Sequence, residues 1–154
     1  MLNTTFNRLH QAGACTGGYR KLAAYLGGVN KYGPDTPIPL TTILESNGLA
    51  DTLWCLQATI EPAQDLIIEY CCRAFEHVEH IWDAKYPNDK RPHLAIVAAR
   101  RCLTDKSPEA LKDAAHAADA AYTAYAAYAA LHAADADEKD WQNEQLLSLL
   151  REKE

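Results

Sequence analysis

The densest group of side chains able to do chemistry is Glu76-His77-Val78-Glu79-His80. On a helix, residues 76 and 80 share a face, as do 77 and 80. Carboxylates and imidazoles at such spacing are ligands for zinc or iron. The complete signatures are missing. No HExxH occurs, and a di-iron carboxylate site needs Glu-x-x-His from each of two helices. Glu76, His77 and His80 are therefore incomplete metal candidates. Their face lies opposite an apolar stripe, so a solvated polar surface is expected, with no metal and no cofactor.

Nucleophilic chemistry would have to come from one of five cysteines: Cys15, Cys55, Cys71, Cys72 and Cys102. A thiol becomes a nucleophile beside a histidine or at a helix N-terminus, where the thiolate is stabilised. Cys72 precedes His77 by about one turn without aligning with it. Cys15-Thr16-Gly17-Gly18 offers a small, polar neighbourhood and is the best reactive candidate. Packing as small apolar residues is nevertheless the expected role. The odd count and the lack of CxxC suit free thiols in a reducing compartment, so a cytoplasmic protein is expected. His116 and His132, sixteen residues apart, cannot share an ion. No catalytic residue emerges, and the expectation is a protein that is not an enzyme.

What remains is surface. Tyr32, Trp54, Tyr128 and Trp141 lie off the apolar stripes and are candidate anchors for a protein partner. Asp135, Asp137, Glu138 and Asp140 form an acidic zone that could match a basic target. The chain carries 21 acidic and 15 basic side chains, a formal net charge of −6. That balance argues against a general nucleic-acid binder, which needs clustered Lys and Arg. Met1 to Gln11 lacks a basic patch leading into an apolar stretch, so no signal peptide is expected. No apolar run approaches the roughly 18 residues of a membrane helix.

The elements that must position these residues are helical. A first helix is expected from Asn7 to Leu26, broken near Gly13, with Gly17 and Gly18 allowing close contact with another helix. A phosphate-cradling loop there is disfavoured, because no strand precedes it and no Walker lysine follows. Residues 27–40, with Gly33, Pro34, Pro37 and Pro39, read as a mobile loop. Thr42 to Glu45 matches a capping box opening a short helix. Glu61-Pro62 opens a longer one, with Ile67, Cys71, Phe75, Val78 and Trp82 as its buried stripe. Pro92 starts the next, and Ser107-Pro108-Glu109 starts the last. Residues 114–136 hold fourteen alanines in twenty-three positions, with Tyr122, Tyr125 and Tyr128 among them. Alanine is the strongest helix former, so one long helix is expected to continue towards Arg151 or to bend near the acidic zone. The expected fold is a single all-α domain over residues 1–154. It is a bundle of five to seven helices with a long Ala/Tyr-rich C-terminal helix.

Several segments together carry a family resemblance. They are "ACTGGYRKLAAYLG", "LADTLWCLQA", "AFEHVEHIWDAKYPNDKRPHLAIVAARRCL", "AADAAYTAYAAYAALHAADAD" and "WQNEQLLSLL". The chain resembles a family of small alanine-rich helical proteins of bacteria and their phages known as immunity proteins. The Pro/Gly segment from Gly27 to Pro39 departs from that pattern. The resemblance implies an all-helical inhibitor that neutralises a toxin, or a phage-encoded antagonist of a host defence complex. It carries no binding or catalytic residues with it. Two other functions are compatible with the residues: a metal-dependent helical enzyme using Glu76, His77 and His80, and a homodimeric scaffold paired along the alanine-rich helix.

Overall fold

A computed structural model of the protein describes residues 1–114, 116 and 136–152. The fold is all-α, with nine helices among the described residues. They are α1 (Phe6–Gln11), α2 (Thr16–Tyr25), α3 (Val29–Tyr32), α4 (Leu40–Asn47), α5 (Leu49–Cys55), α6 (Gln64–Lys85), α7 (Arg91–Thr104), α8 (described at 108–114 and 116) and α9 (Ala136–Arg151). The count exceeds the five to seven read from sequence. One reason is that the break expected near Gly13 is present and makes two helices of the 7–26 segment. Another is that residues 27–40 hold α3 and a short strand. No helix among the described residues is long and apolar enough to cross a membrane. The centre of the alanine-rich run, with Tyr122, Tyr125, Tyr128, His132 and Asp135, lies outside the described residues.

The chain divides into two compact units, residues 1–66 with 143–154, and residues 67–142. In the first, strand β1 (Asn3–Thr4) pairs antiparallel with β2 (Ile38–Pro39), Thr4 opposite Ile38. The buried Thr4 hydroxyl donates to the Ala58 carbonyl at 2.6 Å. Phe6, Leu22, Ile38, Leu40 and Ile43 are almost wholly buried, as are Leu146, Leu149 and Leu150. Each such side chain stabilises the fold by about 1.5–3 kcal/mol relative to exposure.

Two helix starts differ from the sequence reading, and at each a group of Leu2 or Asn3, at or just before β1, makes the deciding contact. Helix α4 begins at Leu40, two residues before the expected capping box at Thr42. The Leu40 N–H donates to the Leu2 carbonyl at 3.0 Å, so no side-chain cap is needed there. Helix α6 begins at Gln64, after Glu61-Pro62. The Glu61 carboxylate instead accepts from the Asn3 backbone N–H at 2.7 Å and from its side-chain amide at 3.0 Å. Gly48 separates α4 from α5 with φ of 94°, a conformation that costs glycine little and other residues much. Its N–H closes on the Ile43 and Leu44 carbonyls.

In the second unit, Phe75, Val78 and Trp82 of α6 are buried as their stripe predicts. Ile67 and Cys71 are not. Ile67 is 37% exposed, and the buried row runs through Tyr70 and Ala74 in place of those two residues. Tyr70, Ala74, Val78 and Trp82 are themselves four apart, so the buried row runs beside the expected one and is displaced round the helix at its start. Pro92 occupies the first turn of α7. Ser107 caps α8, its hydroxyl accepting from the Ala110 N–H at 3.2 Å.

Candidate functional site

The α6 residues that suggested metal ligation are committed to other partners. Arg100 of α7 donates Nε and Nη2 to the two Glu76 oxygens, both at 2.8 Å, and Nη1 to Glu69 at 2.7 Å. Arg73 adds a bond to Glu69 at 2.8 Å. The Arg100 hydrogen bond is the largest influence on Glu76 and holds its carboxyl below the ordinary range. Burial pushes Glu69 up, but the Arg73 and Arg100 contacts outweigh it and lower that carboxyl too. His80 Nδ1 lies 3.1 Å from the His77 carbonyl of its own helix. The expected solvated polar face is thus covered in part by α7. Among the described residues, no three His, Cys, Asp or Glu groups converge as a metal ion requires.

His77 stacks on Trp141, rings 3.8 Å apart and 8° from parallel. Its Nε2 also lies 3.4 Å from the Glu138 carboxylate. One face of Trp141 is therefore already occupied. Of the remaining acidic zone, Asp140 is exposed and Asp137 falls on the described backbone of α9. Tyr32 is half-buried, its hydroxyl donating to the Pro37 carbonyl at 2.9 Å at the surface and its ring edge-on to Phe6.

Trp54 is placed differently. It lines a partly open cavity of about 200 Å³ in the first unit, between α2, α4 and α5. Leu9, Tyr19, Leu22, Ile43 and Ala50 supply apolar wall, while Cys15, Asn47 and Asp51 supply its polar groups. The sequence builds this arrangement locally. Cys15 is the N-cap of α2, its sulfur accepting from the Gly18 N–H at 3.3 Å. Gly18 admits α5 at close range, since a Cβ there would stand 2.7 Å from Asp51 Oδ2. Asn47 ends α4 and ties all three helices together. Its amide donates to the Gly18 carbonyl at 2.9 Å and to Asp51 Oδ2 at 2.7 Å, while its Oδ1 accepts from Ser46 at 2.7 Å. Asp51 sits in the first turn of α5, where the helix dipole favours a carboxylate.

The second thiol at the cavity, Cys55, is buried. Burial first, then the charge of Asp51, pushes it up to about 12. Cys72 is likewise raised to about 11, chiefly by burial. Both remain thiols at neutral pH, the inert form. Cys102 donates its S–H to the Ala110 carbonyl at 3.3 Å.

Sequence reasoning singled out Trp54, Cys15 and the glycine doublet, and the structure gathers Trp54, Cys15 and Gly18, but not Gly17, around one cavity. It missed Asn47. The available signal was Asn47 and Asp51 four residues apart across Gly48, which places an amide and a carboxylate in reach across a helix junction.

Comparison of the chain with known protein families, characterised proteins and solved structures finds no match.

Proposed function

We propose that this chain acts by binding a protein partner, without catalysing a reaction. The finer reading is an inhibitor in the manner of an immunity protein. It would neutralise a toxin or, as a phage-encoded antagonist, a host defence complex. The observation that carries the binding reading is the size and lining of the cavity around Trp54. About 200 Å³ exceeds the roughly 150 Å³ that accommodates benzene. It is smaller than the roughly 300–1,000 Å³ of cofactor and small-molecule sites. That volume suits one side chain of a partner, the scale at which interface hot spots operate.

The chemistry-bearing groups support the same reading. Glu69 and Glu76 hold Arg100, and the Cys55 thiol is too basic to serve as a nucleophile at neutral pH. The net charge of −6 favours encounter with a basic surface.

The experiment is affinity capture from the native host, followed by reconstitution of the complex from two purified proteins. A stoichiometric complex that Trp54→Ala weakens is expected, by roughly tenfold or more if Trp54 is a hot spot. Failure to reconstitute a complex with any captured protein removes the reading.

A further inference from the structure

We propose that the cavity beside Asp51 receives a cationic side chain of the partner, an arginine or lysine. Asp51 is its counter-charge, and Tyr19 and Trp54 are its aromatic walls. This rests on the binding reading above and supplies the chemistry of the occupant.

Charge comes first. Many acidic groups already face cations: Glu69 and Glu76 face Arg100, Asp83 faces Lys90, Asp89 faces Arg91 and Asp105 faces Arg101. Asp35, Glu45 and Glu61 bond instead to neutral partners, but none of these three lines the cavity. Asp51 does not. Among the described residues the Asn47 amide is its one hydrogen-bond partner. Lys21 directs its ammonium to the Asn47 carbonyl instead, at 3.5 Å. A carboxylate without a cation, set in a largely apolar wall, attracts positive charge more strongly than one on an open surface.

The lining then selects within that class. Aromatic faces attract ammonium and guanidinium groups through their quadrupoles, and accommodate the aliphatic stem beneath the charge. A neutral apolar side chain would fill the same space but desolvate Asp51 without pairing it, which is unfavourable. An anion would be repelled.

The carboxylate is also fixed in advance. Asn47 uses both amide hydrogens and its oxygen on Gly18, Asp51 and Ser46, so it orients Asp51 and has no donor left for a ligand. Gly18 provides the space in which Oδ2 lies. A charge-bearing group held in place before binding loses little freedom on contact.

The test uses the full chain and four soluble probes: the N-acetyl methylamides of arginine and lysine, and those of their neutral counterparts citrulline and norleucine. Binding is read from NMR shifts of the Gly18 and Asp51 amides and the Trp54 indole. The cationic probes are expected to saturate at these positions, with the neutral ones about tenfold or more weaker. Asp51→Asn, nearly isosteric, should erase the difference between charged and neutral probes while the melting curve is retained. Equal affinity for the neutral probes, shifts centred elsewhere, or no saturation by the cations would overturn the proposal. The captured complex separates this inference from the binding reading. A reconstituted complex indifferent to Asp51→Asn removes the cationic anchor and leaves the binding reading intact. Cation binding with no protein complex overturns the partner as the source of the charge.

Discussion

Gly17 and Gly18 are adjacent on α2 and differ in what surrounds them. A Cβ at Gly17 meets nothing within 4 Å, whereas one at Gly18 meets Asp51 Oδ2 at 2.7 Å. Gly17→Ala should therefore stabilise the protein by up to about 1 kcal/mol through helix propensity. Gly18→Ala must displace the carboxylate from its Asn47 partner, and should fall about 1–3 kcal/mol below Gly17→Ala. Urea denaturation of the two variants decides the matter; equal midpoints would mean the Gly18 contact is unimportant. The sequence indicated that the doublet marks a close helix contact. It could not say which glycine makes it, because that depends on which residue of α5 lies opposite. The same limit applies to Asn47. An asparagine before glycine reads as a turn residue, and its three bonds exist only once α2, α4 and α5 are assembled.

Helix α6 shows the equivalent limit for an element. Its polar stripe was legible from periodicity, and so was its stop before Pro87. Its cover was not, because Arg100 lies 24 residues beyond Glu76 and nothing in the spacing links them. The pairing has a measurable pH signature. Glu69 and Glu76 titrate below their ordinary value of 4.5 in the folded protein. In acid the unfolded chain takes up protons that the folded chain resists. The stabilisation is therefore fully present above about pH 4.5 and is lost as pH falls through the lowered folded values. Thermal melts should show Tm declining over that acid window, with a shallower decline in Arg100→Met. At neutral pH that variant should lose only about 1 kcal/mol, because Arg100 and Glu76 are 38% and 42% exposed and water screens the pair. An unchanged acid slope would remove the network from the stability of the unit.

For the whole molecule, composition made the fold class legible. Alanine-rich, glycine-punctuated segments with proline at helix starts leave little room for a sheet, and the one ladder among the described residues has two residues per strand. The division into two units was not legible, since no Pro/Gly/Ser-rich linker marks residues 66–67 or 142–143. Net charge acts at this scale as well. With −6 overall, association with a basic partner should slow as salt rises, while dissociation changes less. Stopped-flow or surface binding from low to physiological salt would show this, and a salt-independent association rate would exclude steering. The thiols add a last consequence. Of the five, Cys15 and Cys71 are exposed while Cys55, Cys72 and Cys102 are buried. Cys15 belongs to the first unit and Cys71 to the second. Burial raises the Cys71 thiol and slows it, so a prolonged maleimide reaction at mildly alkaline pH would place one spin label or dye on each unit of the unaltered chain. That pair is a built-in molecular ruler, ready to read whether a partner changes the spacing between the two halves.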